Sequence, residues 1–497
     1  MDEHIDKAND EQTEAGSGAD RQLSRRDFLK IAGVAGATVG LGAGLGGLVA
    51  ACGGTTTTTT TASTAGTTTT AAASTTTTTA AGSTTTVSTA AQTGRPIIIG
   101  AVSPLTGSLA AFGGPDKWIT SYVLAATKAG VVCGDGKNHP ITINQQDSQS
   151  SASRVAQVTG DLIFNAKADI IVASSSPDTV NPAADQCEAN GVPFLANFVP
   201  WQPFFFGRKA TPATPFKWTW MFHFGLEDAA AVRIGAWNQI QTNKSVNLLF
   251  PNDADGVAWA DAKTGLGVAL TKGGYKIASQ PPLFQSPADD FTAQISQFKK
   301  DGAEIVSGIA VPPDYVNFYN QAMQQGLRPK VFSIAKASLF HESIEAIGDN
   351  AVFTSDHNVW HPTYPYKSAL TGQTCQEYAD QYTSETGKQW TQPLGQLGKY
   401  EWAIDVLKRM PSVDDKSTFP DIVAKTNFAN INGPIDFTQP VATGTTHPVL
   451  NVFKIKIAYG QWIKLPAGSK YKYDQVLVFA QDPAMPVKNT LQPMKYV

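Results

Sequence analysis

His357 and His361 stand four residues apart, a spacing at which two imidazoles on one helical turn can share a zinc ion. The run between them is Asn358-Val359-Trp360: Asn358 occupies the place of the glutamate a zinc protease needs, and Pro362 breaks the required helix. The pattern predicts no metal. Gly136-Lys137 has the form of a phosphate-loop tail, yet Val131 replaces its first glycine and Asn138 its Ser/Thr. Gly42 to Gly47 fits G-x-G-x-x-G but follows no strand, so it is no dinucleotide site. A G-x-S-x-G elbow and a C-x-x-C-H haem motif are both missing. What remains is binding chemistry. Ser175, Ser176, Asp178 and Thr179 leave the apolar run Asp169–Ala173 and enter a helix whose N-terminus favours an anion.

The elements that must position these residues alternate. Ile97–Val102 is β-branched and too short for a helix, so a buried strand is expected. A loop closed by Gly113, Gly114 and Pro115 follows, then a helix with Trp118, Ile119, Tyr122, Val123 and Ala126 at helical spacing. Strand, open loop and helix form the first unit of a parallel sheet, in which ligands bind at the strands' carboxyl ends. Further strands are expected at 139–146, 169–173 and 192–197, with helices between. The fourth strand exits into Phe198, Trp201, Phe204, Phe205 and Phe206, aromatics suited either to loop packing or to ligand contact. Phe216–Phe224 reads as a strand crossing into a second lobe that repeats the alternation: strands at 245–250, 275–278, 305–310 and 330–334. Ala351–Val359 crosses back, helices follow near 376–386 and 397–409, and 448–457 crosses a third time.

The remaining chain sets the context. At 42% hydrophobic and 16% charged, the composition is globular. The net charge of −3 comes from residues 1–51, which hold five Lys/Arg and eight Asp/Glu. The rest is balanced, and no basic stripe points to nucleic acid. Ser24-Arg25-Arg26-Asp27-Phe28-Leu29-Lys30 matches the twin-arginine export signature. A Gly/Ala-rich apolar run then ends Leu48-Val49-Ala50-Ala51-Cys52, which looks like a lipobox with Cys52 as the lipidated residue; an uncleaved membrane helix is the alternative. Residues 53–94 are nearly all Thr, Ala, Ser and Gly and are expected to form a flexible tether. Three cysteines remain, of which Cys133 and Cys187 are a candidate bridge outside the cell.

The stretch Ile99-Gly-Ala-Val-Ser-Pro-Leu-Thr-Gly-Ser-Leu-Ala-Ala-Phe-Gly-Gly114 resembles the opening of the leucine/isoleucine/valine-binding family, the type I solute-binding proteins of ABC importers. The resemblance continues in element order from about Pro96 to the end. It implies an α/β fold of two doubly wound parallel-sheet lobes joined by three hinge crossings. Lobe one would take residues 95–219 and 357–440, and lobe two 220–356 and 441–497. It implies a lipid-anchored monomer on the outer face of the cytoplasmic membrane. Such a protein closes on a small amino-acid, amide or carboxylate solute and delivers it to an ABC permease, with no reaction and no cofactor. A ligand-sensing receptor of a signalling system and an exported enzyme are the alternatives.

Carried over residue by residue, the resemblance places Ser175, Ser176, Asp178 and Thr179 in the loop whose hydroxyls and backbone N–H groups hold the ligand's carboxylate. Phe112 matches the aromatic of the first loop. Asn197 and Trp201 fall at the strand-four contacts, Asp255 stands where the family often has a tyrosine, and Tyr315 matches an aromatic. One departure bears on specificity: the loop after 330–334 normally supplies an acid for an α-amino group, and here it reads Ala335-Lys336-Ala337. Lys336 would repel an ammonium. Either Asp255, Asp178 or Asp314 takes the acid's place, or the solute is a carboxylate or amide.

Overall fold

The computed structural model describes residues 91–442 and 447–496; the expected export signal, Cys52 and the tether as far as residue 90 lie outside the described residues. The tether's expected end at residue 94 is a little late. Gly94 donates its N–H to the Asn138 carbonyl at 2.8 Å, and Asn138 returns one to Gln92 at 2.7 Å, so these residues already belong to the folded body.

Strand and helix alternate as the apolar runs require. The first half contains β1 (Ile97–Ser103), α1 (Asp116–Ala126), β2 (Ile141–Asp147), α2 (Ala152–Phe164), β3 (Ile170–Ser174), α3 (Pro177–Asn190), β4 (Phe194–Asn197) and β5 (Thr219–His223). Next come α4 (Leu226–Trp237), β6 (Ser245–Leu249), α5 (Ala254–Trp259), β7 (Lys276–Ser279), α6 (Thr292–Asp301), β8 (Ile305–Ala310), α7 (Pro312–Gln324) and β9 (Val331–Lys336). The remainder is β10 (Ser355–Asn358), α8 (Cys375–Thr386), α9 (Leu397–Arg409), β11 (Val452–Lys454), β12 (Ala458–Lys464) and β13 (Tyr473–Ala480).

Two parallel sheets result. The first has six strands in the order β11-β5-β4-β3-β1-β2, and the second has four in the order β9-β8-β6-β7. Helices cover both faces of such sheets, so their strands are apolar on both sides. β3 (IIVAS) and β8 (IVSGIA) are buried at every residue. A third sheet, β10-β12-β13, is antiparallel.

Three expectations need correction. β5 pairs with β4 on one side and with β11 on the other in the first sheet, so the chain leaves that sheet after His223 and after Lys454. The expected boundaries at 219/220 and 440/441 fall too early. The reason lies in Thr219–His223, buried at every residue and therefore an interior strand. The β12–β13 hairpin was not anticipated, although Ala458, Gly460 and Trp462 alternate with polar or longer partners. Cys133, Cys187 and Cys375 are all free thiols, and no Cys133–Cys187 bridge forms. Cys133 packs in the core on one face of the first sheet and Cys187 in the core on the other.

Candidate functional site

Three residues that follow or end parallel strands hold backbone angles that side chains normally avoid: Ser175 after β3 (φ 125°), Phe198 after β4 (φ 57°) and Lys336 at the end of β9 (φ 63°). Such strain persists only where the surroundings over-determine it, and it concentrates at ligand clamps. All three line one cavity, of about 30 Å³ as space for the centre of a water molecule, between the carboxyl ends of the two parallel sheets. Its walls are mostly apolar. Phe112, Phe198 and Phe224 come from the first-lobe side, and Trp259, Ile309 and Leu339 from the second. Gly113 holds the loop that presents Phe112, since a Cβ there would stand 2.3 Å from the Pro104 carbonyl oxygen.

The charged end of the cavity is a cluster shared by both lobes. Lys336 Nζ lies 3.0 Å from Asp255 Oδ2, 3.5 Å from Asp253 Oδ2 and 3.4 Å from Ser176 Oγ. Asp255 spends its other oxygen on the Trp259 indole N–H at 2.9 Å. Asp178, from lobe one, accepts the Ala254 backbone N–H of lobe two at 3.0 Å. Burial pushes the Asp255 carboxyl up to about 6; Lys336 works against this while Asp253 and Asp178 add to it. Burial also opposes the Lys336 charge, but the surrounding carboxylates more than offset it and hold the ammonium above its usual range. One cation serving several anions explains why both groups move upward.

Two histidines also line the cavity. His223, 2% exposed, stacks on Phe198 at 4.8 Å and meets Phe224 at 4.8 Å. Neither of its ring nitrogens has a hydrogen-bond partner among the described residues. Burial, with a smaller contribution from His357, holds it well below the usual histidine value and therefore neutral. His357 is tied down: its Nδ1 is 2.6 Å from Asp356 Oδ1, which also accepts from Arg233 at 2.5 Å.

A buried polar frame supports the first-lobe loops. Lys399 of α9 donates to Ser174 Oγ at 2.6 Å and to Gln396 Oε1 at 3.1 Å, while Gln396 Nε2 donates to the Phe112 carbonyl at 2.9 Å. Lys399 faces Asp116 of α1 at 3.7 Å, and both side chains are wholly buried. The frame thus fixes the ends of β1 and β3 relative to α9.

Of the residues expected at the site, Phe112, Ser175, Asp255 and Lys336 line the cavity. Ser176 caps α3 and touches Lys336; Thr179 shares a 2.7 Å hydroxyl bond with Ser175. Asp178 bridges the lobes rather than lining the cavity. Asn197 is buried behind it, donating to the Gly395 carbonyl at 3.3 Å. Trp201 turns away and donates to Glu227 at 3.1 Å. Tyr315 packs in the second-lobe core against Tyr319, and Asp314 accepts the Ala288 N–H at 2.9 Å and the Ser286 hydroxyl. Neither lines the cavity. His223, Phe224, Trp259, Leu339 and His357 were not anticipated. The apolar run ending Phe222-His223-Phe224 was the available signal: a histidine inside a strand buried on both faces.

A family model described as periplasmic binding protein matches residues 96–459, and a twin-arginine translocation signal model matches residues 22–42. No curated protein sequence matches the chain. Solved structures share the fold. The leucine-binding protein LivK of Thermotoga maritima is 18% identical, with a TM-score of 0.60 over 78% of this chain and 99% of that one. An ABC-transporter solute-binding protein of Rhodopseudomonas palustris, crystallised with 3,4-dihydroxybenzoic acid, is 18% identical, with a TM-score of 0.59 over 79% and 99%. An ABC-transporter substrate-binding protein of Sphaerobacter thermophilus is 16% identical, with a TM-score of 0.60 over 78% and 98%.

Proposed function

The chain belongs to the periplasmic binding protein family, whose members bind solutes and are not enzymes, and on that premise we propose that it is the solute receptor of an ABC importer. It captures a small amino-acid, amide or carboxylate solute between its lobes and presents the closed form to a membrane permease. The observation that carries this reading is the cavity at the strand ends, walled by residues of both sheets and bridged by Asp178 and the Lys336 cluster. Closing the lobes removes water from that cavity, so polar contacts from both sides strengthen together. The similar structures named for ABC transporters support the transport role over signalling.

The export signal places the mature protein in the cell envelope. Cys52, at the end of a lipobox-like run, is the proposed anchor, and the Thr-rich stretch after it gives the lobes reach. On this reading the protein acts as a monomer. Replacing Cys52 by Ala should release the protein from washed membranes into the soluble fraction; retention on the membrane would remove the anchor from the proposal. For the receptor role, thermal-shift screening should find a solute that raises the melting temperature. Small-angle scattering should then show a more compact particle, and chromatography of the incubated solute should show no turnover. Conversion of that solute to a product would overturn the reading.

A further inference from the structure

The charges of the cavity are already paired, and the one lining side chain without a hydrogen-bond partner among the described residues is uncharged. Asp255 uses both oxygens, one on Lys336 and one on Trp259. Lys336 is enclosed by Asp255, Asp253 and Ser176. A zwitterion would have to pull this buried pair apart, leaving a charge without its partner, a costly exchange. Among the described residues His223 has no partner for either nitrogen, although it is 98% buried and lines the cavity between two phenylalanines. A buried polar group without a partner is unfavourable, and a solute that supplies the partner recovers that cost. Of the other polar side chains lining the cavity, Ser175 is bonded to Thr179 and His357 to Asp356, while Phe112, Phe198, Phe224 and Leu339 favour an apolar body.

We propose that the cavity selects a small uncharged solute, an apolar body carrying a single carboxamide or hydroxyl group that hydrogen-bonds to His223, and that it disfavours α-amino acids. The proposal rests on the solute-receptor reading and narrows its substrate class. A neutral imidazole offers one donor and one acceptor, so a carbonyl or a hydroxyl each finds a match. Lys336 and Asp255 then form the closed end of the cavity and hold the lobes together without reading the solute's charge.

Four compounds that share an isopropyl group separate the alternatives: isobutyramide, isobutyrate, isobutylamine and valine. Melting temperature and titration calorimetry of the full exported protein at pH 7 are the readouts. Isobutyramide should raise the melting temperature, with the other three giving shifts several-fold smaller. His223→Phe, which keeps the aromatic stack, should bind isobutyramide at least tenfold more weakly, and His223→Gln, which keeps a donor and an acceptor, should recover part of the loss. A larger response to isobutyrate, isobutylamine or valine overturns the proposal, as does amide binding that His223→Phe leaves unchanged. Silence from all four also overturns it. A broader screen that then finds another solute leaves the receptor reading standing, and one that finds none removes both.

Discussion

Lys336 neutralises carboxylates drawn from both lobes, and its value to the protein depends on their ionisation. Lys336→Met leaves Asp178, Asp253 and Asp255 without their shared cation. The variant should lose melting temperature at pH 7 and lose less at pH 5, where Asp255 takes up a proton; an equal loss at both values would show that the charge is not what matters. The sign for the unaltered protein follows from Asp255, whose carboxyl titrates near 6 when folded against 3.8 as an ordinary group. Between those values the folded state holds a proton that the unfolded state has released. Its contribution therefore declines as pH rises from about 4 to 6. His223 and His357 act in the opposite direction. Both are held below 6.5, so their contribution is present above that value and is lost as pH falls below it. His223→Phe should flatten the acid side of a plot of melting temperature against pH over this range.

At the scale of elements, α1 and α9 are joined by an ion pair with no access to water. Burial raises the Asp116 carboxyl and lowers the Lys399 ammonium, each against the pull of its partner. Breaking a buried pair from one side costs about 3–5 kcal/mol, whereas replacing both partners by apolar groups can be neutral. Lys399→Met alone should therefore destabilise the protein severely in denaturant unfolding. Lys399→Met with Asp116→Leu should recover most of the loss, and an additive double variant would contradict the pairing. The Ser174–Lys399–Gln396–Phe112 frame makes a second demand. The apolar replacement leaves Ser174 and Gln396 with one bond fewer, so the loop bearing Phe112 should show faster amide exchange even where global stability returns.

Across the whole molecule, direct contacts join the lobes beside the cavity. Asp178 accepts the Ala254 N–H, Lys336 reaches Ser176, and Phe112 meets Phe340 edge-on at 4.9 Å. The crossings are braced separately: Lys454, ending β11, pairs with Glu227 at 2.8 Å and Asp228 at 3.1 Å at the start of α4. Hinge closure needs braced crossings with a small energy difference between open and closed forms. Asp178→Ala removes one bridging bond worth about 1 kcal/mol. It should weaken solute affinity by roughly fivefold and raise the radius of gyration of the solute-free protein in scattering, with little change in melting temperature. A large stability loss instead would place Asp178 in the fold of lobe one alone.

What the sequence determined by itself was local or repetitive. Buried parallel strands are apolar on both faces, so runs such as Ile97–Val102 and Ile305–Ala310 show themselves as strands, and the loops after them mark the site's end of the sheet. Ser175 was accessible in this way because it lies just beyond an apolar run, while Phe112, Asp255 and Lys336 were reached through the family resemblance. Tertiary structure decided everything that depends on which face of an element looks inward. Tyr315 lies in α7 and turns to the second-lobe core, and Trp201 turns to Glu227. His223 enters the site from inside a strand, where no loop signal exists. The pairing of Lys336 with Asp255 joins residues far apart in sequence, and only the closed approach of β9 to α5 could bring those opposite charges together.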